Sequence, residues 1–144
     1  ETVLVHGDLH LGNIIVEEST GTVNAVVDWE LTTLGDPMAD IGSLLAYWPT
    51  ADAANLPGFD AALAEGFPTA DELADHYLEK TGRSRHALNY WHVLGLWKVA
   101  IIIEGVLRRV RDTPENEATS GAPTAAVADD LIERATRIAD ATGL

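Results

Sequence analysis

The segment "HGDLHLGN", residues 6–13, places two histidines, Asp8 and Asn13 directly after a short apolar run. A second acidic group, Asp28 and Glu30 of "VVDWE", follows further along the chain. Oxygen donors without thiolates suit a hard cation such as Mg²⁺, which binds few protein ligands and takes phosphate oxygens and water for the rest. A separate carboxylate can accept the proton of a hydroxyl nucleophile. Together these residue types indicate phosphoryl transfer.

A β-hairpin is predicted to hold these groups at one end. Residues 13–18 and 23–28 are rich in β-branched side chains, and Gly21 lies between them in a turn sequence. If the hairpin closes around Thr20 and Gly21, Asn13 stands opposite Asp28, and the two oxygen ligands converge at its open end. A register shifted by one residue would turn Asp28 towards the core, where an ionised carboxylate is costly.

The remaining sequence is mostly helical, so the predicted fold class is α+β. Asp36 is the expected N-cap of the first helix, with Pro37 at its first position. Thr69 and Glu72 form a capping-box pattern, and Gly82 ends that helix. We predict strand 3–5, loops over 49–68 and 112–124, and helices over 36–48, 69–82, 86–110 and 125–143, the last with the apolar stripe Val127, Leu131, Ala135 and Ile138.

Composition narrows the classes of partner. The 144 residues carry 23 acidic against nine basic side chains, a net charge of −14, which argues against nucleic-acid binding. Cysteine is absent, which excludes disulfides and thiolate metal sites and fits a cytoplasmic protein. The longest apolar run, 93–103, is interrupted by Lys98 and is too short to span a bilayer, so no membrane association is expected.

The ordered blocks "HGDLHLGN", "VVDWE" and "LGDPMADIG" resemble the aminoglycoside phosphotransferase family of protein-kinase-like enzymes. The resemblance implies the mostly helical C-terminal lobe of a protein-kinase-like fold, with a small catalytic β-hairpin. It implies that Asp8 is the catalytic base and that Asn13 and Asp28 bind the cofactors, Mg²⁺ and through it ATP. His6 and Asp40 would support the catalytic loop.

Two further side chains, His10 and Glu30, are candidates for substrate or phosphate contact, although a histidine in such a loop more often bonds backbone. Seven residues separate Asp28 from Asp36, too few for a segment that docks a peptide, so the predicted acceptor is a small-molecule hydroxyl. The longer pattern from "VVDWE" to "LLAYW" resembles the kinase-like domains fused to acyl-CoA dehydrogenases, which implies a hydroxyacyl-CoA acceptor. The acidic net charge is better suited to a cationic, aminoglycoside-like acceptor.

Kinase-like enzymes also hold ATP with a glycine-rich loop and a strand lysine. Neither pattern occurs in this chain, whose lysines, Lys80 and Lys98, lie in predicted helices after the catalytic block. We therefore predict that residues 1–144 are the C-terminal lobe of a longer enzyme, inactive alone. The surface that faced the missing lobe would then favour self-association.

Two alternatives remain at this stage. "GDLHLG" is close to the opening motif of metal-dependent phosphoesterases, in which Asp8 and His10 would be ligands of a two-metal site. The later metal-binding blocks of that class do not occur here. The other alternative is a non-catalytic regulatory or pseudokinase lobe, which would not need Asp8, Asn13 and Asp28 together.

Other aromatic and histidine side chains are expected to be structural. Tyr90, Trp91 and Trp97 lie on the long helix, which is apolar on most sides and should be mostly buried. The histidines outside the catalytic block have no ligand spacing and are expected to be exposed or hydrogen-bonded in the core: His76, His86 and His92.

Overall fold

A computed structural model describes residues 1–116 and 121–144. In these residues short strands precede and follow the catalytic segment, and helices make up the rest, which confirms the α+β class. The strands are β1 (Val3–Val5), β2 (Ile14–Val16), β3 (Val23–Val26) and β4 (Thr33–Gly35); the helices are α1 (Met38–Tyr47), α2 (Ala70–Thr81), α3 (Arg85–Asp112) and α4 (Ala125–Thr142).

The strands form two antiparallel pairs, β1 with β4 and β2 with β3. The second pair is the predicted hairpin, and Gly21 takes the left-handed conformation in its turn, with φ +70°. The first pair was not predicted, because β4 is only three residues long and has no alternating pattern. Its pairing with β1 places the segment after Asp28 beside the start of the catalytic loop.

The predicted hairpin register was wrong by one residue. Ile14 pairs with Val26 rather than with Val27, and the register shifts again between Ile15 and Val16. Asp28 does not enter the core in consequence, because it lies beyond β3 and takes a left-handed conformation, φ 68° and ψ 52°. This backbone turn, rather than strand pairing, places the Asp28 carboxylate at the surface.

The first two helices begin close to their predicted caps. Helix α1 starts at Met38, one residue later than predicted, although the Asp36 carboxylate still accepts a hydrogen bond from the Met38 amide at 2.9 Å. Helix α2 has both halves of the capping box between Thr69 and Glu72, and Gly82 ends it in the left-handed conformation. These bonds lower the pKa of Glu72, the backbone bond to Thr69 being the larger cause.

Helix α3 is the centre of the fold and packs against both α1 and α4. Its buried side chains meet the predicted stripe of α4, of which Val127, Leu131 and Ala135 are buried and Ile138 is partly buried. The expectation that α3 is mostly buried was wrong, however. Only Trp91 of its aromatic residues joins the core, and a stripe of large apolar side chains is exposed: Tyr90, Leu94, Trp97, Ile101 and Ile102.

The two loop predictions have different outcomes. Residues 49–68 contain one 3-10 segment, Asp60–Leu63, and are otherwise irregular, as predicted. The predicted loop over 112–124 begins with a 3-10 segment, Pro114–Asn116, and residues 117–120 lie outside the described part of the chain. Within the described residues, no helix combines the length and hydropathy needed to cross a bilayer.

Helices α1 and α3 cross with their backbones in direct contact at two glycines. A Cβ atom added at Gly95 would lie 2.6 Å from the carbonyl oxygen of Gly42, and one added at Gly42 would lie 2.4 Å from that of Trp91. Neither position can hold a side chain without separating the helices. The crossing fixes where the following turn of α3, including Lys98, meets the catalytic loop.

We therefore predict that Gly95→Ala lowers the free energy of unfolding by about 1–3 kcal/mol, because overpacking forces the two helices apart. Chemical denaturation of the purified chain measures this effect. The matched control is Gly105→Ala on the same helix, where nothing lies within 4 Å of the added methyl group. This control should stabilise the helix by about 0.5–1 kcal/mol, and equal effects of the two substitutions would contradict the close crossing.

Candidate active site

The catalytic loop is held to α1 by the carboxylate of Asp40. Its Oδ2 accepts a hydrogen bond from the His6 amide at 2.7 Å, and its Oδ1 accepts one from the Gly7 amide at 2.8 Å. Hydrogen bonds to an ionised acceptor are roughly twice as strong as neutral ones. One carboxylate on a buried helix therefore fixes two consecutive residues immediately before Asp8.

His6 joins the loop to the end of the hairpin. Its ring is buried, its Nε2 lies 2.8 Å from the carbonyl oxygen of Val27, and its Nδ1 lies 3.2 Å from the amide of Asp8. Since a carbonyl only accepts and an amide only donates, the ring is the neutral tautomer with its proton on Nε2. Trp29 packs on it with ring centroids 4.7 Å apart. His6 thus links the backbone at Asp8 to the residue before Asp28.

Gly7 allows the loop to turn. Its φ is +84°, and a Cβ atom at this position would lie 2.4 Å from the carbonyl oxygen of Leu31. Only glycine fits both the conformation and the space.

The carboxylate of Asp8 lies between two nitrogen-bearing side chains. Lys98 Nζ is 3.6 Å from its Oδ1, and His10 Nε2 is 3.6 Å from its Oδ2. Both separations exceed hydrogen-bond length, so both oxygens keep lone pairs for a hydroxyl group. The Asp8 side chain is 25% exposed, which gives a substrate access to it.

Lys98 was missed by the sequence analysis as a site residue. Its ammonium donates a 2.7 Å hydrogen bond to the carbonyl oxygen of Gly7, which lies 91 positions earlier in the chain. The helical crossing at Gly95 brings this side chain onto the loop. The signals that could have indicated it were a lysine interrupting an apolar run and a glycine one turn before it.

Asn13 and Asp28 both present oxygens that suit a hard cation. Asn13 is buried, and its Nδ2 donates to the carbonyl oxygen of Asp8 at 3.0 Å, which leaves its Oδ1 as the free end. The Asn13 carbonyl accepts from the Val27 amide at 2.9 Å, so Asp28 follows a residue bonded to Asn13. Asp28 is also the one non-glycine residue with positive φ in the described chain, a form of strain concentrated at functional sites.

This donor set fits Mg²⁺ rather than a transition metal. One carboxylate and one amide oxygen match the few protein ligands that Mg²⁺ uses beside phosphate and water. Among the described residues, no group of three or more His, Asp or Glu side chains could hold a metal ion. A two-metal phosphoesterase centre built around Asp8 and His10 therefore lacks the further ligands it would need.

His10 and Glu30 occupy different surroundings. The His10 Nδ1 accepts a hydrogen bond from the Gly12 amide at 3.1 Å, and its ring packs against Tyr47 and Phe59 with centroids 4.8 and 5.4 Å away. Burial, and secondarily the Asp8 charge, raises the pKa of Tyr47 to about 12, so its hydroxyl stays protonated at physiological pH. Glu30 is exposed in the 3-10 segment Trp29–Leu31.

Comparison with known proteins identifies the family to which this chain belongs. The family model described as "Phosphotransferase enzyme family" (APH) matches residues 1–76, which contain the catalytic loop, the hairpin and α1. The chain belongs to this family, as the resemblance in "Sequence analysis" implied.

A crystal structure described as an aminoglycoside phosphotransferase from Ralstonia eutropha JMP134 superposes with a TM-score of 0.60 and 33% sequence identity. The match covers 98% of this chain and 41% of that one. The kinase-like fold is therefore shared over nearly the whole chain.

Two sequence relatives are named as acyl-CoA dehydrogenase family members rather than as phosphotransferases. The chain is 37% identical over 123 residues to mouse "Acyl-CoA dehydrogenase family member 10", covering 83% of this chain and 12% of that protein. It is 34% identical over 114 residues to human "Acyl-CoA dehydrogenase family member 11", covering 76% of this chain and 14% of that protein. The chain therefore spans a small part of the length of these relatives.

We predict that Asp40→Asn destabilises the protein by about 1–3 kcal/mol, since an amide offers one acceptor oxygen where two buried amides need two. Hydrogen exchange at the His6 and Gly7 amides should accelerate more than exchange in α4. Asp52→Asn, at an exposed position, is the control and should change stability by less than about 0.5 kcal/mol. Unchanged exchange at both loop amides would show that Asp40 does not hold the loop.

Proposed function

We propose that this chain carries the catalytic centre of an ATP- and Mg²⁺-dependent phosphotransferase that acts on a small-molecule hydroxyl group. The observation that carries the proposal is the arrangement of Asp8. Its carboxylate is free of hydrogen bonds from the described side chains, and it lies in a loop held by Asp40, His6 and Asn13. A fixed carboxylate with free lone pairs is suited to orient a hydroxyl and take its proton.

The roles that we propose for these residues follow from the donor atoms that their side chains carry. Asn13 and Asp28 would hold Mg²⁺, which when bound neutralises charge on the phosphates of ATP. Asp8 stays outside that pair and acts on the acceptor. Lys98 places a positive charge 3.6 Å from Asp8, where it can hold the carboxylate in position and attract a phosphoryl group.

The segment after Asp28 supports a small acceptor. It passes through the 3-10 segment Trp29–Leu31 directly into β4, which pairs with β1. With seven residues between Asp28 and Asp36, the chain is too short here to form a platform for a peptide. An acceptor would instead approach Asp8 beside the aromatic side chains of His10, Tyr47 and Phe59.

For the acceptor we propose a hydroxyacyl-CoA, with an aminoglycoside-like compound as the second candidate. The first is favoured by the relatives named as acyl-CoA dehydrogenase family members. The second is favoured by the similarity to the Ralstonia structure. A regulatory, non-catalytic lobe is the remaining alternative, and the retention of Asp8, Asn13 and Asp28 in a strained, ordered site weighs against it.

We also propose that these 144 residues need a nucleotide-binding lobe to turn over. The described residues offer no glycine-rich phosphate loop, and the match covers 41% of the Ralstonia chain. Such an enzyme would be cytoplasmic, and the exposed apolar stripe of α3 would favour self-association when the lobe is absent. Phosphotransfer by the purified chain alone would overturn this part of the proposal.

The principal test is Asp8→Asn in a longer chain that supplies the nucleotide lobe. ATP consumption with Mg²⁺ is measured against hydroxyacyl-CoAs, aminoglycosides and simple alcohols. Loss of the base should lower kcat by roughly 10²–10⁴-fold, while the control Asp52→Asn retains parental activity. Equal turnover by Asp8→Asn would exclude Asp8 as the base.

The role of Lys98 is tested by Lys98→Met, which keeps the length of the side chain and removes its charge. We expect kcat to fall by about tenfold or more, the equivalent of roughly 1.4 kcal/mol in the barrier, with little change in stability because the ion pair is partly exposed. Lys80→Met on α2 is the matched control. A stability loss without a change in kcat would assign Lys98 a structural role.

A further inference from the structure

A pocket that is separate from the catalytic loop lies between the helices. Its volume is about 400 Å³, and its described lining residues come from α1 to α4 and the turn after α1, not from residues 6–13. This volume lies within the range of about 300–1,000 Å³ that is usual for small-molecule sites. We call it the arginine pocket, because its lining includes Arg85, Arg134 and Arg137.

The charge at the arginine pocket is opposite to that of the whole protein. Three guanidinium groups line it, while the net charge of the chain is −14. Asp71 is the carboxylate that also lines it, and its side chain is 95% exposed. Arg85 is paired with Asp75 at the rim. Arginine is therefore the most frequent charged residue of the described lining, with Asp75 and Asp130 beside two of the three guanidinium groups.

The Arg134 side chain is mostly enclosed, and within the described chain it forms an ion pair but no hydrogen bond. Its side chain is only 11% exposed, and its ion-pair partner Asp130 is 3.9 Å away, beyond hydrogen-bond distance. Burial, and then Arg137, lowers the pKa of Arg134, while Asp130 opposes the shift. Asp130 Oδ2 is itself buried without a hydrogen bond. A buried guanidinium in this state costs free energy that a bound anion would recover.

The ring of His92 is a further polar group of the arginine pocket. It lines the same pocket, and its Nε2 is buried without a hydrogen-bond partner among the described residues. Burial and the charges of Arg134 and Arg85 lower its pKa to about 4, with the Leu45 carbonyl opposing the shift. The ring is therefore neutral at pH 7, and buried polar atoms of this kind normally have a partner.

We propose that the arginine pocket binds the phosphate group of a small ligand. Guanidinium forks match phosphate oxygens in bidentate geometry, and three arginines line this one cavity. Asn89 and Thr142 line the same cavity and add polar groups beside them. The proposal does not depend on the catalytic function, since the site shares no described lining residue with the catalytic loop. The source of the phosphate is either free orthophosphate or a phosphoester such as coenzyme A.

Calorimetric titration and thermal unfolding of the purified chain test this site, with orthophosphate and coenzyme A as separate probes. Mg²⁺ is omitted and ionic strength is held constant with sodium chloride. We expect saturable binding and a Tm that rises with probe concentration. Coenzyme A binding about tenfold tighter than orthophosphate would identify a phosphoester ligand, and equal affinities would identify free phosphate.

Two variants make the test specific to the pocket. Arg134→Met and Arg137→Gln should each weaken binding by about tenfold or more, whereas Arg109→Gln, exposed elsewhere on α3, should not. Arg134→Met should be at least as stable as the parent without ligand, because it removes a buried charge. Arg137 is exposed, so its variant remains informative if Arg134→Met fails to fold. Absence of binding in the parent, or equal binding by all variants, would overturn the proposal.

Discussion

The geometry of this site depends on one carboxylate, that of Asp40. It accepts hydrogen bonds from two consecutive backbone amides, His6 and Gly7, at 2.7 and 2.8 Å. The loop would otherwise leave these donors buried and unpaired, which costs about 1–3 kcal/mol for each group. This loop positions Asp8. The His6 ring connects the loop to the backbone beside Asp28, because it bonds both the Asp8 amide and the Val27 carbonyl. The proposed base and the proposed metal ligands are thus positioned by α1.

The helices supply polar side chains to the two sites as well as structural support. The glycine crossing of α1 and α3 lets the backbones touch, and Lys98 reaches the catalytic loop from the turn after Gly95. Another face of α3 carries His92 into the arginine pocket. One long helix therefore contributes polar groups to both sites, while its exposed apolar stripe belongs to neither.

Local signals predicted much of this structure, and tertiary contacts account for what they missed. The capping box located α2 closely, the apolar stripe located α4, and the sequence around Gly21 located the hairpin. The register was wrong because the turn closes with the Glu17 amide bonded to the Thr22 carbonyl rather than around Thr20 and Gly21, and the later irregularity at Ile15 and Val16 corrects this only in part. Lys98 was missed because its contact with Gly7 depends on how two helices cross, which spacing along the chain cannot reveal.

The central claim is that Asn13 and Asp28 hold the divalent cation while Asp8 remains outside the pair. Paramagnetic broadening of backbone amide resonances by Mn²⁺ in the presence of ATP tests it most directly on this acidic chain. We expect the strongest broadening at Asn13 and Asp28, and we expect it to be lost in Asp28→Asn. Broadening spread over the acidic faces of α2 and α4, unchanged by Asp28→Asn, would contradict it.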